Sequence, residues 1–272
     1  MDSRRLHYLQ ALDIDVWQRR ELIATRQAAA VVEKQQQPSP VRPAVSAVVP
    51  PATVSQPVIE EPPRKPAADS IFSTPDAAVA AMDWDALTET VRSCTRCPLH
   101  TTRTQAVFGV GNRSARWMVI GEAPGADEDR QGEPFVGKAG QLLNSMLRAI
   151  GLAREDVFIA NILKSRPPGN RDPRPDEARA CISYLMRQIE LVNPTLLLCV
   201  GRIAAQTLLE TDSPIGKLRG RLHHLASGRP MIVTYHPAYL LRSPGEKRKS
   251  WADLVLAMQT FEQLTQEKGR AQ

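Results

Sequence analysis

From Ala80 onward the chain alternates between short apolar runs and stretches of helical period, and this alternation restricts the fold more than any other feature. WDALTETVRSC is helical in period and WMVIGE is a short apolar run. KAGQLLNSMLRAIGL sets Leu142, Leu143, Met146, Leu147 and Ile150 at helical spacing. VFIANIL, TLLLCVG and PMIVTYH then read as strands, separated by the helical segments DEARACISYLMRQIELV and RIAAQTLLE and followed by KSWADLVLAMQTFEQL. Four short, wholly apolar strands with helices between them imply βαβ units, hence a parallel sheet covered on both faces. The expected fold is α/β, a three-layer α/β/α arrangement around a central four-stranded parallel sheet.

The alternation does not reach the N-terminal part. Between Gln37 and Pro66 stand nine of the chain's 22 prolines, among Val, Ala, Ser and Gln, with neither helical nor strand period. Residues 26–80 are expected to be a disordered linker, and 81–272 the folded domain. Residues 1–25 place Leu6, Leu9, Leu12 and Val16 at the spacing of a short amphipathic helix, read as a docking tag. Charged and without a continuous apolar core, this segment is not a signal peptide, and no 18-residue apolar stretch follows it, so no membrane partner and a cytoplasmic location are expected. The first 80 residues are balanced, with nine basic and nine acidic side chains; residues 81–272 carry 26 basic against 20 acidic, the whole net charge of +6. A mildly basic domain suits a polyanionic partner, and equally an ordinary basic surface.

In open α/β sheets ligands sit beyond the carboxyl ends of the strands. Here those ends read Gly121-Glu122, Asn161, Gly201 and His236, and three polar side chains at one edge favour a site, with Asn161 as a hydrogen-bonding group. The loop GEAPGADEDRQGEPFVGKAGQLL lacks both the Walker lysine and the dinucleotide fingerprint. Its acids, Glu122 and Glu128 among them, would repel a triphosphate but suit positioning water or offsetting positive charge. Phe135, alone among Gly and Pro, suits either the core or stacking on a flat base. In TYHPAYLLRSP, Leu240, Leu241 and Arg242 follow His236 on a turn; an apolar pair beside a cation suits a wedge in a duplex, or two leucines facing the core. Cys94 and Cys97 form a CxxC at a helix end, Cys181 lies far downstream, and Cys199 inside an apolar strand reads as a small buried hydrophobe.

Together the motifs CTRCPLHTTRTQAVFGVGN, GEAPGADEDRQGEPFVGKAGQLLN, NILKSRPPGNR, KLRG and YHPAYLLRSP resemble the iron-sulfur uracil-DNA glycosylases called family 4, over nearly all of residues 90–250. Extensions such as residues 1–80 also occur in bacterial relatives of that family. The resemblance implies a monomeric, nucleoid-associated repair hydrolase that cuts the N-glycosidic bond of uracil in DNA and leaves an abasic site. It implies that Gly121, Phe135 and Asn161 bind the base, that His236 stabilises the departing uracil, and that Glu122 or Glu128 orients water. Lys164, Arg166, Arg171 and Arg242 would hold phosphates, and Leu240 would fill the gap in the base stack. It also implies a [4Fe-4S] cluster on Cys94, Cys97, Cys181 and a third cysteine whose place is taken here by Ser165. An alkoxide is a harder, more basic ligand than a thiolate, so a weakened or labile cluster is expected; an oxygen or solvent ligand at one iron, a three-iron cluster, or no cluster are the open outcomes. A replication or repair protein would be the partner of residues 1–25. A non-catalytic iron-sulfur module that binds nucleic acid and a nucleotide-binding α/β enzyme are the alternatives, and fold alone does not separate them.

Overall fold

The computed structural model describes residues 76–270; the expected docking helix 1–25 and all but the end of the expected linker 26–80 lie outside them. The packed chain reaches back past residue 81. Asp76 caps a one-turn helix α1 (Ala77–Ala80), accepting from the N–H groups of Ala78 and Val79 at 3.1 and 3.2 Å, and Val79 is buried. Asp83 caps α2 (Trp84–Arg92) in the same way, accepting from Ala86 N–H at 2.9 Å.

The sheet contains β1 (Val110–Gly111), β2 (Trp117–Gly121), β3 (Val157–Asn161), β4 (Leu196–Val200), β5 (Leu222–His224) and β6 (Pro230–Thr234), in the order β1-β3-β2-β4-β6-β5. The four central strands are parallel, and β2, β3 and β4 are buried at every residue, as a sheet covered on both faces requires. β1 and β5 add antiparallel edges that the sequence did not announce, because two and three residues hold no period. The described helices continue as α3 (Ala126–Gln131), α4 (Lys138–Ala149), α5 (Pro175–Val192), α6 (Arg202–Leu209), α7 (Ile215–Leu218), α8 (Pro237–Arg242) and α9 (Lys247–Arg270).

Side-chain alternation along the strands sorts the layers. Met118 and Ile120 pack with Leu87 and Val91 of α2, Leu185 of α5 and Leu208 of α6; Trp117 and Val119 pack on the other face with Leu143 and Leu147 of α4 and Leu254 of α9. Each fully buried leucine of this kind contributes roughly 2 kcal/mol by transfer from water. The α5 helix starts at Pro175, its first turn tied by Glu177 accepting from Arg174 N–H at 2.8 Å, and ends at the left-handed Asn193. It carries Cys181 and Gln188 beneath the sheet edge. Register aligns the strand ends, pairing Gly121 with Asn161, while Gly201 N–H donates to Thr234 O at 2.9 Å. The chain leaves β2 towards β3 on one side and returns to β4 on the other, so a crevice opens at this switch point. Among the described residues no helix is long and apolar enough to cross a membrane.

Candidate active site

A cavity of about 680 Å³ opens at the carboxyl ends of the parallel strands, and Glu122, Phe135, Asn161, Gly201, His236 and Arg242 line it. The loop after β2 is held from inside by Glu128. Its Oε1 accepts from the N–H groups of Val136 and Gly137 at 3.0 and 3.2 Å, and its Oε2 from Gly125 N–H at 3.1 Å. A carboxylate with three backbone donors is a clasp, and little of its acceptor capacity remains for water.

Beyond the clasp Phe135 adopts a left-handed backbone, φ 55°, which a bulky residue keeps only when its surroundings compel it. Arg154 supplies part of that constraint, donating to Pro134 O at 2.6 Å and to Phe135 O at 3.3 Å. Gly140 supplies another part: a Cβ there would lie 1.7 Å from Phe135 O, so only glycine lets α4 pass this close. The Phe135 ring thereby rests against Gly121, where a Cβ would meet ring carbons at 2.8 Å and Asn161 Oδ1 at 2.3 Å. Gly121, Phe135 and Asn161 form one contiguous surface.

Asn161 is 2% exposed, and its Oδ1 is buried with no hydrogen-bond partner. Leaving such an acceptor unpaired costs about 1–3 kcal/mol, which a ligand N–H would recover. The His236 ring lies 5.6 Å from the Phe135 ring, centroid to centroid, inclined by 30°. His236 caps α8, its Nδ1 accepting from Ala238 N–H at 3.1 Å, which assigns the ring proton to Nε2. Burial, with the Arg242 cation nearby and against the pull of Glu128, lowers its pKa to about 4. At neutral pH His236 is therefore a neutral donor. Burial first, and the Asp172 charge second, raise Glu122 to about 7 against the lowering effect of Arg202. Asp172 and Arg202 face each other at 2.8 Å. A flat apolar wall, an unpaired amide oxygen, a neutral imidazole donor and a carboxyl poised near neutrality thus meet in one cavity.

The family model described as uracil DNA glycosylase superfamily matches residues 108–257. The chain belongs to this superfamily. A type-4 uracil-DNA glycosylase of Archaeoglobus fulgidus is 47% identical over 167 residues, covering 59% of this chain and 84% of the relative. One from Thermotoga maritima is 45% identical over 158 residues, covering 58% and 82%. A type-5 uracil-DNA glycosylase of Pyrobaculum aerophilum is more distant, 32% identical over 149 residues, covering 48% and 64%. Within the superfamily, similarity thus runs higher to type 4.

Around this cavity the residues expected to hold DNA stand in different settings, and two of them are corrected. Arg242 is exposed at the rim, and Arg166 is half-buried with its Nε donating to Asn170 Oδ1 at 2.7 Å. Arg171 forms a two-pronged pair with Glu177, at 2.9 and 2.6 Å, so its guanidinium braces the start of α5. Lys164 is 1% exposed and cannot reach a phosphate; its Nζ donates to Asn161 O at 2.8 Å and to Gln188 Oε1 at 2.6 Å. Leu240 is likewise corrected: at 1% exposure it packs in the core with α4 and α9 residues, because α8 turns it inward. Its neighbours Tyr239 and Leu241 are the outward apolar side chains, 36% and 44% exposed. Asp172, Arg202 and Tyr239 also line the cavity, although sequence reasoning singled out none of them. The available signals were the Asp172 that follows NILKSRPPGNR, the Arg202 after the strand end Gly201, and Tyr239 inside YHPAYLLRSP.

The three cysteines expected at the cluster act on one another, and Ser165 meets the arginine that acts on Cys97. Cys94 and Cys97 follow α2, Ser165 follows β3, and Cys181 lies on α5. Cys97 and Cys94 both act on the Cys181 thiol, which burial pushes up to about 11 against the lowering effect of Lys164. Cys181 Sγ accepts from Lys164 N–H at 3.3 Å, and Cys94 Sγ from Tyr184 O–H at 3.3 Å. Ser165 Oγ accepts from Arg103 Nη1 at 2.9 Å, and Arg103 also acts on Cys97. Among the described residues no three His, Cys, Asp or Glu side chains close on a single ion. An iron-sulfur cube spans several metal atoms and holds its donors farther apart than one ion does. Three thiols and one hydroxyl, with donors already aimed at two of the sulfurs, fit such a group. Cys199 is fully buried in β4, and burial pushes its pKa up, as suits a small core residue.

Proposed function

We propose that this protein removes uracil from DNA by hydrolysing the N-glycosidic bond, leaving an abasic site for base excision repair. The carrying observation is the unpaired, buried Asn161 Oδ1 on the surface it shares with Phe135 and Gly121. Uracil presents a donor at N3 and an acceptor at O4; the Asn161 amide accepts from the first with Oδ1 and donates to the second with its NH2 group. Cytosine presents the reverse pair, and an amide held in place rejects it. The base reaches this site by rotating out of the duplex, at an unstacking cost of a few kcal/mol, and Phe135 stacks on its face.

When the bond from C1′ to N1 breaks, its electron pair leaves with uracil and spreads to O2, while the sugar becomes positive. The neutral His236 donates its Nε2 proton in a hydrogen bond to O2, where it meets the anion that develops. Ionised Glu122 offsets the sugar charge and accepts a proton from the water that adds to C1′. Glu128 keeps the loop in shape. Arg242 and Arg166 hold phosphates, and the outward Leu241, with Tyr239, occupies the space the flipped nucleotide leaves. An iron-sulfur cluster held by Cys94, Cys97, Cys181 and the Ser165 oxygen would cross-link three separate chain segments; with its harder oxygen ligand it would be more labile than a four-thiolate cluster. Residues 1–25 are assigned, on their sequence pattern, to docking on a replication or repair protein.

The test is excision from an oligonucleotide with one uracil, read as strand scission by hot alkali at the abasic site. Release of uracil, with cytosine- and thymine-containing controls intact, is expected. Tight DNA binding without base release would leave a non-catalytic module instead.

A further inference from the structure

KLRG, Lys217 to Gly220, has no part in the proposed chemistry, yet its arginine reaches a residue of the cavity wall. Leu218 ends α7 fully buried, and Arg219 follows it with its guanidinium turned towards α9. There Nε and Nη2 donate to the two oxygens of Asp253 at 3.0 and 2.8 Å, and Nη2 donates also to Lys249 O at 2.5 Å. Asp253 is 0% exposed. Its Oδ2 accepts in addition from the Thr234 hydroxyl at 2.9 Å, and Thr234 Oγ1 lies 3.0 Å from Ser250 Oγ. A hydroxyl has one proton to give, so Thr234 donates it to the carboxylate and accepts from Ser250.

Thr234 is the last residue of β6 and stands two residues before His236. Its side chain is thus fixed by Asp253, while its backbone oxygen is held by Gly201 N–H at 2.9 Å. The intervening Tyr235 lines the cavity, and the Arg219 guanidinium lies over its ring, 5.4 Å from the centroid. His236 itself packs on the bare Gly201 backbone, where an added Cβ would come within 3.1 Å of its own. A buried ion pair is often no more stabilising than apolar residues of the same volume, so the geometry it imposes explains this network better than the stability it adds. We propose that Arg219 and Asp253 are positioning residues for His236, holding Thr234 and Tyr235 so that the imidazole meets uracil O2 in a single pose. The proposal rests on the reading of His236 as the donor to the departing base.

The experiment is a double-variant cycle on the single-turnover excision rate of the full chain, with enzyme in excess over a uracil oligonucleotide and well below the melting temperature of every variant. Melting temperature and affinity for the oligonucleotide are measured alongside. Thr234→Val keeps the shape of the side chain and the pair between Arg219 and Asp253, but removes the hydroxyl. It should lower the rate about tenfold, a fraction of what a misplacement of about 1 Å can cost, and leave affinity for DNA unchanged. Thr234→Ser retains the hydroxyl and should recover most of the rate. In a His236→Ala background Thr234→Val should slow excision no further, because the group it aims is gone. Arg219→Lys keeps the charge but loses the fork and the flat face over Tyr235, and where it folds it should resemble Thr234→Val. A Thr234→Val protein that melts lower yet excises at the wild-type rate overturns the proposal, since the network would then serve the fold alone. Equal fold-losses in the two backgrounds overturn it as well, since the network would then act by a route other than His236. The His236→Ala parent separates the two levels. If it excises at the wild-type rate, the reading of His236 falls and the proposal with it; if it is slow while Thr234→Val is silent, that reading stands and the positioning role fails.

Discussion

Removing the Glu122 charge, by acid or by Glu122→Gln, should reveal which of the two titratable groups in the cavity governs the rate. Glu122 titrates near 7 because it is buried beside Asp172, whereas His236 titrates near 4 because it is buried beside Arg242. If ionised Glu122 accepts the proton of water, the reactive fraction rises from about 9% at pH 6 to about 91% at pH 8, a tenfold gain in rate. Over the same range His236 is protonated in at most about 1% of molecules, so its titration adds no falling limb. Single-turnover excision from a uracil oligonucleotide at pH 5 to 9, with enzyme in excess of the DNA and well above the dissociation constant, should rise through one inflection near pH 7 and then level. Glu122→Gln should give a flat profile, about 10²-fold lower at pH 8, the loss typical of a missing general base. An inflection that persists in Glu122→Gln would refute the assignment to Glu122. A rate that declines above pH 7 would mean that a protonated group drives the departure of uracil.

His236→Ala should lower the single-turnover rate by about 10²–10³ while affinity for uracil-containing DNA stays within a few-fold, because it removes one donor to a developing anion; an unchanged rate would take His236 out of the chemistry. Asn161→Asp replaces the NH2 donor with an acceptor, so the ratio of excision at uracil to excision at cytosine should shrink, and a variant that still ignores cytosine would contradict edge reading. Leu240→Ala and Leu241→Ala should behave as opposites. The first empties a core position and should cost about 2–5 kcal/mol in urea unfolding; the second should leave unfolding unchanged but slow excision from duplex more than from single-stranded DNA. Equal stabilities would show that α8 does not face as described.

The four buried strands were legible because their runs are mostly apolar, and the polar residues at their ends were legible because Glu122 and His236 end their runs and Asn161 interrupts its own. What escaped was governed by distant parts of the chain. Lys164 stands in a basic, proline-broken stretch that reads as surface, and its burial is made tolerable by acceptors at Asn161 O and at Gln188, 24 residues later on α5. Leu240 and Leu241 are chemically identical in sequence, and α8 alone decides that one faces α4 and the other faces water. Glu128 reads as one more acid in an acidic loop until Val136 and Gly137 fold back onto it. Helical and strand periods report on burial within an element; they are silent where a loop closes on itself.

The left-handed turn at Phe135 has a practical consequence for anyone exchanging parts between glycosylases. The shape of that wall is encoded at three separate points, the Phe135 backbone, the bare Cα of Gly140 and the Arg154 guanidinium, which arrive on a loop, on α4 and just ahead of β3. A chimera that imports the loop but keeps a host α4 with a side chain at position 140 would force Phe135 out of its pose, since 1.7 Å leaves no room for a methyl group. The transplantable module is accordingly the whole segment from Gly121 to Arg154, and a graft cut at the visible loop ends would carry the sequence of the pocket without its form.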